Sequence, residues 1–421
     1  MIFRTFLTLL FSMILGLANA QLIAIKAGKV IEPSTGSISN NQIILVENGK
    51  IKELGYNIKI PKDAEIIDLS KSTVMPGLID AHTHICASVS KFADYLGIDF
   101  LDLVLLKPDG YRAIEGAVHA KQMLEAGFTT IREAGNAGKY VDVDVKRAIN
   151  ERLIPGPNII AAGRIIVPFG GQFRTKADKK FIQNDEYFFA DTQDELKKAI
   201  RENIFYGVDI IKIVVDSKRY KYSTEDIKFI VNEAQRAGLK VMAHCQTVDG
   251  LYAAVSAGVA SVEHGWTIPD SIMNIMKQKK IVLVSTDFPV EVLQAYGSDE
   301  QTAKTFHDKL IKRLKRAYDS GVKLAFGSDV MIDMYNETRG QTALRYIDSF
   351  VEAGIPAIDI LKIMTINSSE LLGIDMERGS ISKGMYCDLI ATEENPLENI
   401  QTLKKVTFVM KNGVVYKKSS Y

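Results

Sequence analysis

His82 and His84 stand two residues apart in the run Leu78-Ile79-Asp80-Ala81-His82-Thr83-His84. In an extended strand, positions i and i+2 share a face, so both imidazoles project the same way. Two nitrogen donors on one rigid strand suit a zinc-type cation. Groups of matching chemistry end three apolar runs downstream: His244 in Lys240–Cys245, His264 in Ser261–Gly265 and Asp329 in Lys323–Asp329. Four of the chain's six histidines occupy such places. The other two, His119 and His307, fall in polar helical stretches and read as solvated surface residues.

Lys212 lies within Asp209-Ile210-Ile211-Lys212-Ile213-Val214-Val215, a run apolar on both faces, as a strand of a parallel barrel is. An unpaired buried ammonium is costly, so the amine tends to lose its proton. A neutral lysine amine reacts with carbon dioxide to give a carbamate, which can bridge two cations about 3.5–4 Å apart. The bland alternatives are a lysine that snorkels to the mouth or pairs with an acid. With four imidazoles and Asp329 around it, bridging is the favoured reading.

These groups need strands to hold them. Eight candidates recur between helical stretches: Leu78–Ile85, Phe128–Ala134, 158–166, Asp209–Asp216, Lys240–Cys245, Ser261–Gly265, Ile281–Asp287 and Lys323–Asp329. Thr224–Ala237 reads as a helix with Ser223 and Asp226 as a capping box, and Val248–Ala257 as another closed by Gly258. Eight β-α units predict a (β/α)8 TIM barrel of class α/β, with its active site where the strands end. An open doubly wound sheet fits less well, because no Gly-rich dinucleotide fingerprint follows a strand.

Both ends of the chain read as short strands with Asn-Gly hairpins, at Asn48-Gly49 and Asn412-Gly413. They predict a small β-sandwich domain built from both termini. The division is 1–20 signal peptide, 21–75 first part of the sandwich, 76–375 barrel and 376–421 second part. Residues 1–20 carry Arg4, an apolar stretch from Phe6 to Leu17 and an Ala18-Asn19-Ala20 cleavage site, which predicts a periplasmic or secreted protein. The run is short for a membrane span, so no membrane association is expected after cleavage. Lys+Arg (52) nearly balances Asp+Glu (51), which argues against a nucleic-acid partner. Cys86, Cys245 and Cys387 are too few for a disulfide framework; all three fall in predicted strands and read as small buried hydrophobes.

Taken together, His82-x-His84, Lys212, His244, His264 and Asp329 match, in strand order, the ligand pattern of the amidohydrolase superfamily. The frame Val74-Met75-Pro76-Gly77-Leu78-Ile79-Asp80-Ala81-His82-Thr83-His84 resembles that family's first strand. Ala257-Gly258-Val259-Ala260-Ser261-Val262-Glu263-His264-Gly265, Gly384-Met385-Tyr386-Cys387-Asp388-Leu389-Ile390 and Asn395-Pro396-Leu397 resemble its imidazolonepropionase-like and Xaa-Pro dipeptidase-like branch. The resemblance covers essentially the whole mature chain. It implies a distorted barrel and two divalent metal ions, usually zinc. His82, His84 and Asp329 would hold the buried one and His244 and His264 the exposed one. N6-carboxylated Lys212 and a hydroxide would bridge them, with Asp329 as proton shuttle.

The substrates so implied are dipeptides of the Xaa-Pro kind or N-acyl amino acids, small molecules with an amide bond. A terminal carboxylate calls for Arg or Tyr near the mouth. Arg132, Arg164, Tyr220 and Tyr222 are candidates, each with a structural reading beside it. Gln172 stands where many prolidase-like relatives have His, so that part of substrate handling departs from the pattern. The alternative activity is an imidazolonepropionase-like cyclic amide hydrolase or deaminase with a single metal; such enzymes lack the bridging lysine. A catalytically dead binding protein would not need every ligand. A homo-oligomer is compatible with the sequence.

Overall fold

The computed structural model describes residues 22–89, 107–170, 172, 186–216 and 220–419. The signal peptide expected over residues 1–20 lies outside the described residues. Four strands come first: β1 (Leu22–Glu32), β2 (Ser37–Glu47), β3 (Lys50–Gly55) and β4 (Glu65–Pro76). Ten short strands alternate with helices next. They are β5 (Leu78–Thr83), β6 (Phe128–Glu133), β7 (Asn158–Ile160), β8 (Ile165–Val167), β9 (Tyr187–Phe189), β10 (Ile210–Val214), β11 (Lys240–Cys245), β12 (Ser261–His264), β13 (Val282–Ser285) and β14 (Leu324–Phe326). The last three are β15 (Leu389–Thr392), β16 (Phe408–Lys411) and β17 (Val414–Lys418).

The two ends of the chain share one seven-stranded sheet, in the order β17-β16-β15-β4-β1-β2-β3. The sheet curls back on itself. Ile51 N–H donates to Met385 O and Cys387 N–H to Gly49 O, both at 2.8 Å, so the β3 edge meets the chain leading into β15. Asn48, Gly49, Asn412 and Gly413 all take positive φ (53°, 78°, 51° and 74°), as the expected hairpins demand. The two turns also abut. A Cβ on Gly49 would fall 2.5 Å from Asn412 O, so glycine is required by contact as well as by conformation.

The barrel is distorted. Hydrogen bonds join β5-β6-β7 as one parallel set and β14-β13-β12-β11-β10-β8-β9 as another. Asp209 N–H to Ala161 O and Asp329 N–H to His82 O, each 2.8 Å, bring the two sets together. The third expected strand, 158–166, is in fact two: β7 pairs with β6 and β8 with β10. The chain kinks between them, where Gly163 takes φ 65°. An apolar run alone carries no mark of such a break. β9 was not anticipated, and β10, β13 and β14 stop two or three residues short of their expected ends.

Within β11, Val241, Ala243 and Cys245 join the core under the helices, while Met242 and His244 turn inward. The Ser223–Asp226 capping box starts the helix Thr224–Gln235, and Gly258 (φ 87°) closes Val248–Ala257. The three cysteines are free and buried, although Cys86 and Cys387 lie just outside strands. Among the described residues no helix is long and apolar enough to cross a membrane.

Candidate metal centre

Five strands bring six side chains to one cavity of about 130 Å³. His82 belongs to β5 and His84 follows it. Lys212 comes from β10, His244 from β11, His264 from β12, and Asp329 lies three residues past β14. All six are buried. Gly327 permits the approach of β14 to β5: a Cβ there would fall 2.8 Å from His82 Cβ and 2.6 Å from Val284 Cγ1. His264 (φ 68°) and Asp329 (φ 53°) both hold left-handed backbone. That conformation costs about 1–3 kcal/mol for a non-glycine residue and is typically maintained at working sites.

Asp329 Oδ1 lies 3.2 Å from His84 Nε2 and 3.5 Å from His82 Nε2. Ligand atoms of these three residues lie within 4.8 Å of one another, close enough to share a cation. His264 packs between the first pair and His244, with ring centroids 5.0 Å from His82 and 4.5 Å from His244.

The second nitrogen of three of the four imidazoles is engaged from behind. His82 Nδ1 lies 2.7 Å from Glu263 Oε2, His84 Nδ1 2.7 Å from Gly135 O, and His264 Nδ1 2.8 Å from Thr286 Oγ1. Such partners fix the tautomer and leave Nε2 as the free donor. Burial pushes the His244 imidazole down to about 3, with Lys212 adding to the shift. Burial and neighbouring cationic groups likewise hold His82 and His264 well below the usual range. For His84, burial works the same way, but Asp329 outweighs it and the shift is upward. His244 Nε2 is buried without a hydrogen-bond partner among the described residues. Neutral imidazoles, one carrying an orphaned nitrogen, fit a divalent cation.

Burial pushes the Lys212 ammonium down to about 8, against the pull of Glu263 and Asp329. Among the described residues it makes no hydrogen bond and no ion pair. Lys212 is buried, so it does not snorkel to solvent, and no acid among the described residues pairs with it at ion-pair distance.

The substrate candidates divide sharply. Arg132 is fully buried and committed: Nη2 donates to both Glu263 oxygens at 2.9 Å and Nε to Ala81 O at 2.5 Å. Arg164 donates to Tyr187 O at 2.8 Å and stacks 3.7 Å from the Phe188 ring. Tyr222 is buried and donates to Ala190 O at 2.7 Å, whereas Tyr220 is 74% exposed. None of these four lines the cavity. Gln172 does, with Nε2 3.4 Å from His244 Nδ1.

His119 and His307 are buried, not solvated. His119 Nδ1 lies 2.7 Å from Ile85 O. His307 bridges Phe288 O and Glu352 Oε2, each at 2.8 Å. Polar neighbours along the helix concealed these longer-range partners. Glu263 and Arg339 went unnoticed. Glu263 had a readable mark, a carboxylate inside an otherwise apolar strand. Arg339 had none: its Nη1 donates to His84 O and Ala87 O at 3.2 Å and to Val330 O at 3.0 Å, clamping the loops after β5 and β14.

A barrel with its polar cluster at the C-terminal ends of the strands is the architecture of a barrel hydrolase. The chain belongs to the amidohydrolase family, whose model matches residues 73–416. It is a metal-dependent family of hydrolases acting on C–N bonds. The chain is 28% identical to ochratoxinase of Aspergillus niger, over 95% of this chain and 87% of that protein. The crystal structure of A. niger ochratoxinase superposes with a TM-score of 0.80, covering 95% of this chain and 96% of that one at 26% identity. A Xaa-Pro dipeptidase crystallised with methionine in its active site gives a TM-score of 0.82 at 27% identity, covering 94% of this chain and 100% of that one. Imidazolonepropionase of Clostridium tetani is 25% identical over 91% of this chain and 92% of that protein.

Proposed function

We propose that this chain is a binuclear amide hydrolase acting on dipeptides of the Xaa-Pro kind or on N-acyl amino acids, exported through residues 1–20. The observation that carries the reading is Lys212: a buried amine without an ion partner among the described residues, lining the same cavity as four imidazoles and a carboxylate. A mononuclear site would have no use for it. Likeness to the Xaa-Pro dipeptidase and to ochratoxinase supports amide cleavage.

His82, His84 and Asp329 would hold one cation, and His244 and His264 a second, zinc in both cases given the nitrogen-rich ligands. Lys212, carboxylated on Nζ, would bridge the pair. When bound, such cations supply a nucleophilic water near neutral pH and polarise a carbonyl. Asp329 would take a proton from the attacking water and pass it to the leaving nitrogen. Glu263 and Gly135 O hold the imidazoles of His82 and His84 in one tautomer, which spares reorganisation during the reaction.

One observation favours a second reading, a single-metal cyclic amide hydrolase. Only His82, His84 and Asp329 form a closed metal-binding group among the described residues. Metal analysis of the zinc-loaded protein, paired with a screen of dipeptides and N-acyl amino acids, decides between them. About two metals per chain with turnover of either library is expected. One metal, with ring-amide hydrolysis instead, would sink the binuclear proposal.

A further inference from the structure

Trp266 is the chain's only tryptophan, and it lines the cavity that holds the four imidazoles. Its placement follows from the turn that ends β12. His264 and Gly265 take consecutive left-handed conformations, φ 68° and 56°, so the strand ends abruptly two residues before Trp266. Phe306 meets the indole edge to face at 5.1 Å and Phe288 does so at 6.2 Å. The His264 ring lies 5.4 Å away. An indole buttressed on these sides cannot swing freely, so the surface it offers the cavity is preorganised. Thr267 Oγ1 donates to Gln246 O at 2.5 Å and ties this loop to the one after β11.

One feature says what that surface would take. Beyond the six groups of the metal centre, the cavity wall consists of Ile165, Met331, Trp266 and the carboxamides of Asn136, Gln172 and Gln246. Among the described residues it holds no further charged side chain.

The geometry points to a substrate subsite in which Trp266 receives a flat, uncharged ring of the amide substrate. The chemistry cut there rests on the amide-hydrolase reading; the recognition rests on Trp266.

The experiment has two arms, both on the zinc-loaded full chain. In the first, tryptophan emission is followed during titration with benzyl alcohol and with cyclohexylmethanol. The two are alike in size and uncharged, but only the first is flat, and neither has a bond to hydrolyse. With one tryptophan, any change reports position 266. Saturable change with benzyl alcohol at clearly lower concentration than with cyclohexylmethanol is expected. In the second arm, kcat/KM is measured for N-benzoylglycine and N-(cyclohexanecarbonyl)glycine. W266L should lower the flat-to-puckered ratio about fivefold to tenfold, and W266F, which keeps a ring, should fall between. An equal response to both alcohols, or one ratio shared by all three proteins, overturns the subsite. Saturable benzyl alcohol binding without turnover of any amide leaves the subsite standing and removes the hydrolase reading. Amide turnover without preference for flat rings does the reverse.

Discussion

Glu263 Oε2 lies 2.7 Å from His82 Nδ1, and the same carboxylate receives two 2.9 Å bonds from Arg132 Nη2. Ser261 Oγ donates to its other oxygen at 2.5 Å. A carboxylate behind a ligating histidine orients the ring and raises its basicity. The Arg132 guanidinium is thereby committed to the carboxylate behind His82 and is not free for a substrate.

Replacing Glu263 with Gln keeps the shape and removes the charge. Metal affinity should fall roughly 10- to 100-fold, the usual loss when such a partner is changed. Competition against a chromogenic chelator measures it. The buried Arg132 would lose its counter-charge as well, so circular dichroism must show that the variant is folded. A folded E263Q with unchanged affinity would contradict the role given to Glu263.

Removing metal should destabilise the protein as well as silence it. A cation bound only by the native state stabilises by about 2.7 kcal/mol when present at one hundred times its Kd. Thermal unfolding after chelation should therefore begin at lower temperature, and zinc should restore both melting temperature and activity. Restoration of neither by any divalent cation would count against a metal centre.

Lys411 offers a pH test far from the site. It is buried, and Nζ donates to Gly156 O at 2.7 Å. Burial pushes its ammonium down to about 8, with Asp388 opposing the shift. The unfolded chain then binds more protons than the folded one between about pH 8 and the usual lysine value near 10.4. This contribution to stability is unfavourable below pH 8 and is relieved as pH rises through that window. K411M lacks the titration. Chemical unfolding of both proteins from pH 7 to 10.5 should show wild type gaining on K411M, and parallel curves would refute the shift.

Much of the barrel was legible because its strands are apolar runs between amphipathic helices, and β11 matches its expected bounds. The six groups of the site were legible because polar residues inside such runs are costly without a purpose. What failed was non-local. The break at residues 161–164 depends on which neighbour each half pairs with. The engagement of Arg132 by Glu263, and of Tyr222 by Ala190 O, joins residues 131 and 32 positions apart. No periodicity records those partners.

Lys212 permits the sharpest separation of function from fold. A buried amine whose charge is disfavoured contributes little to stability, and exchange for an apolar residue of similar length is often neutral or stabilising. K212M should thus unfold in its metal-free form at the same temperature as wild type or higher. On the binuclear proposal the order should invert with metal, because the variant would have no Nζ to carboxylate and so no bridge to a second cation. Metal content should drop from about two per chain to about one, and kcat should fall by several orders of magnitude, since the groups act as a unit. Calorimetry of both proteins with and without zinc, beside metal analysis, reads all of this. A K212M protein holding two metals and turning over substrate would show that Lys212 is only a buried amine. A metal-free K212M that fails to fold would assign it to the core.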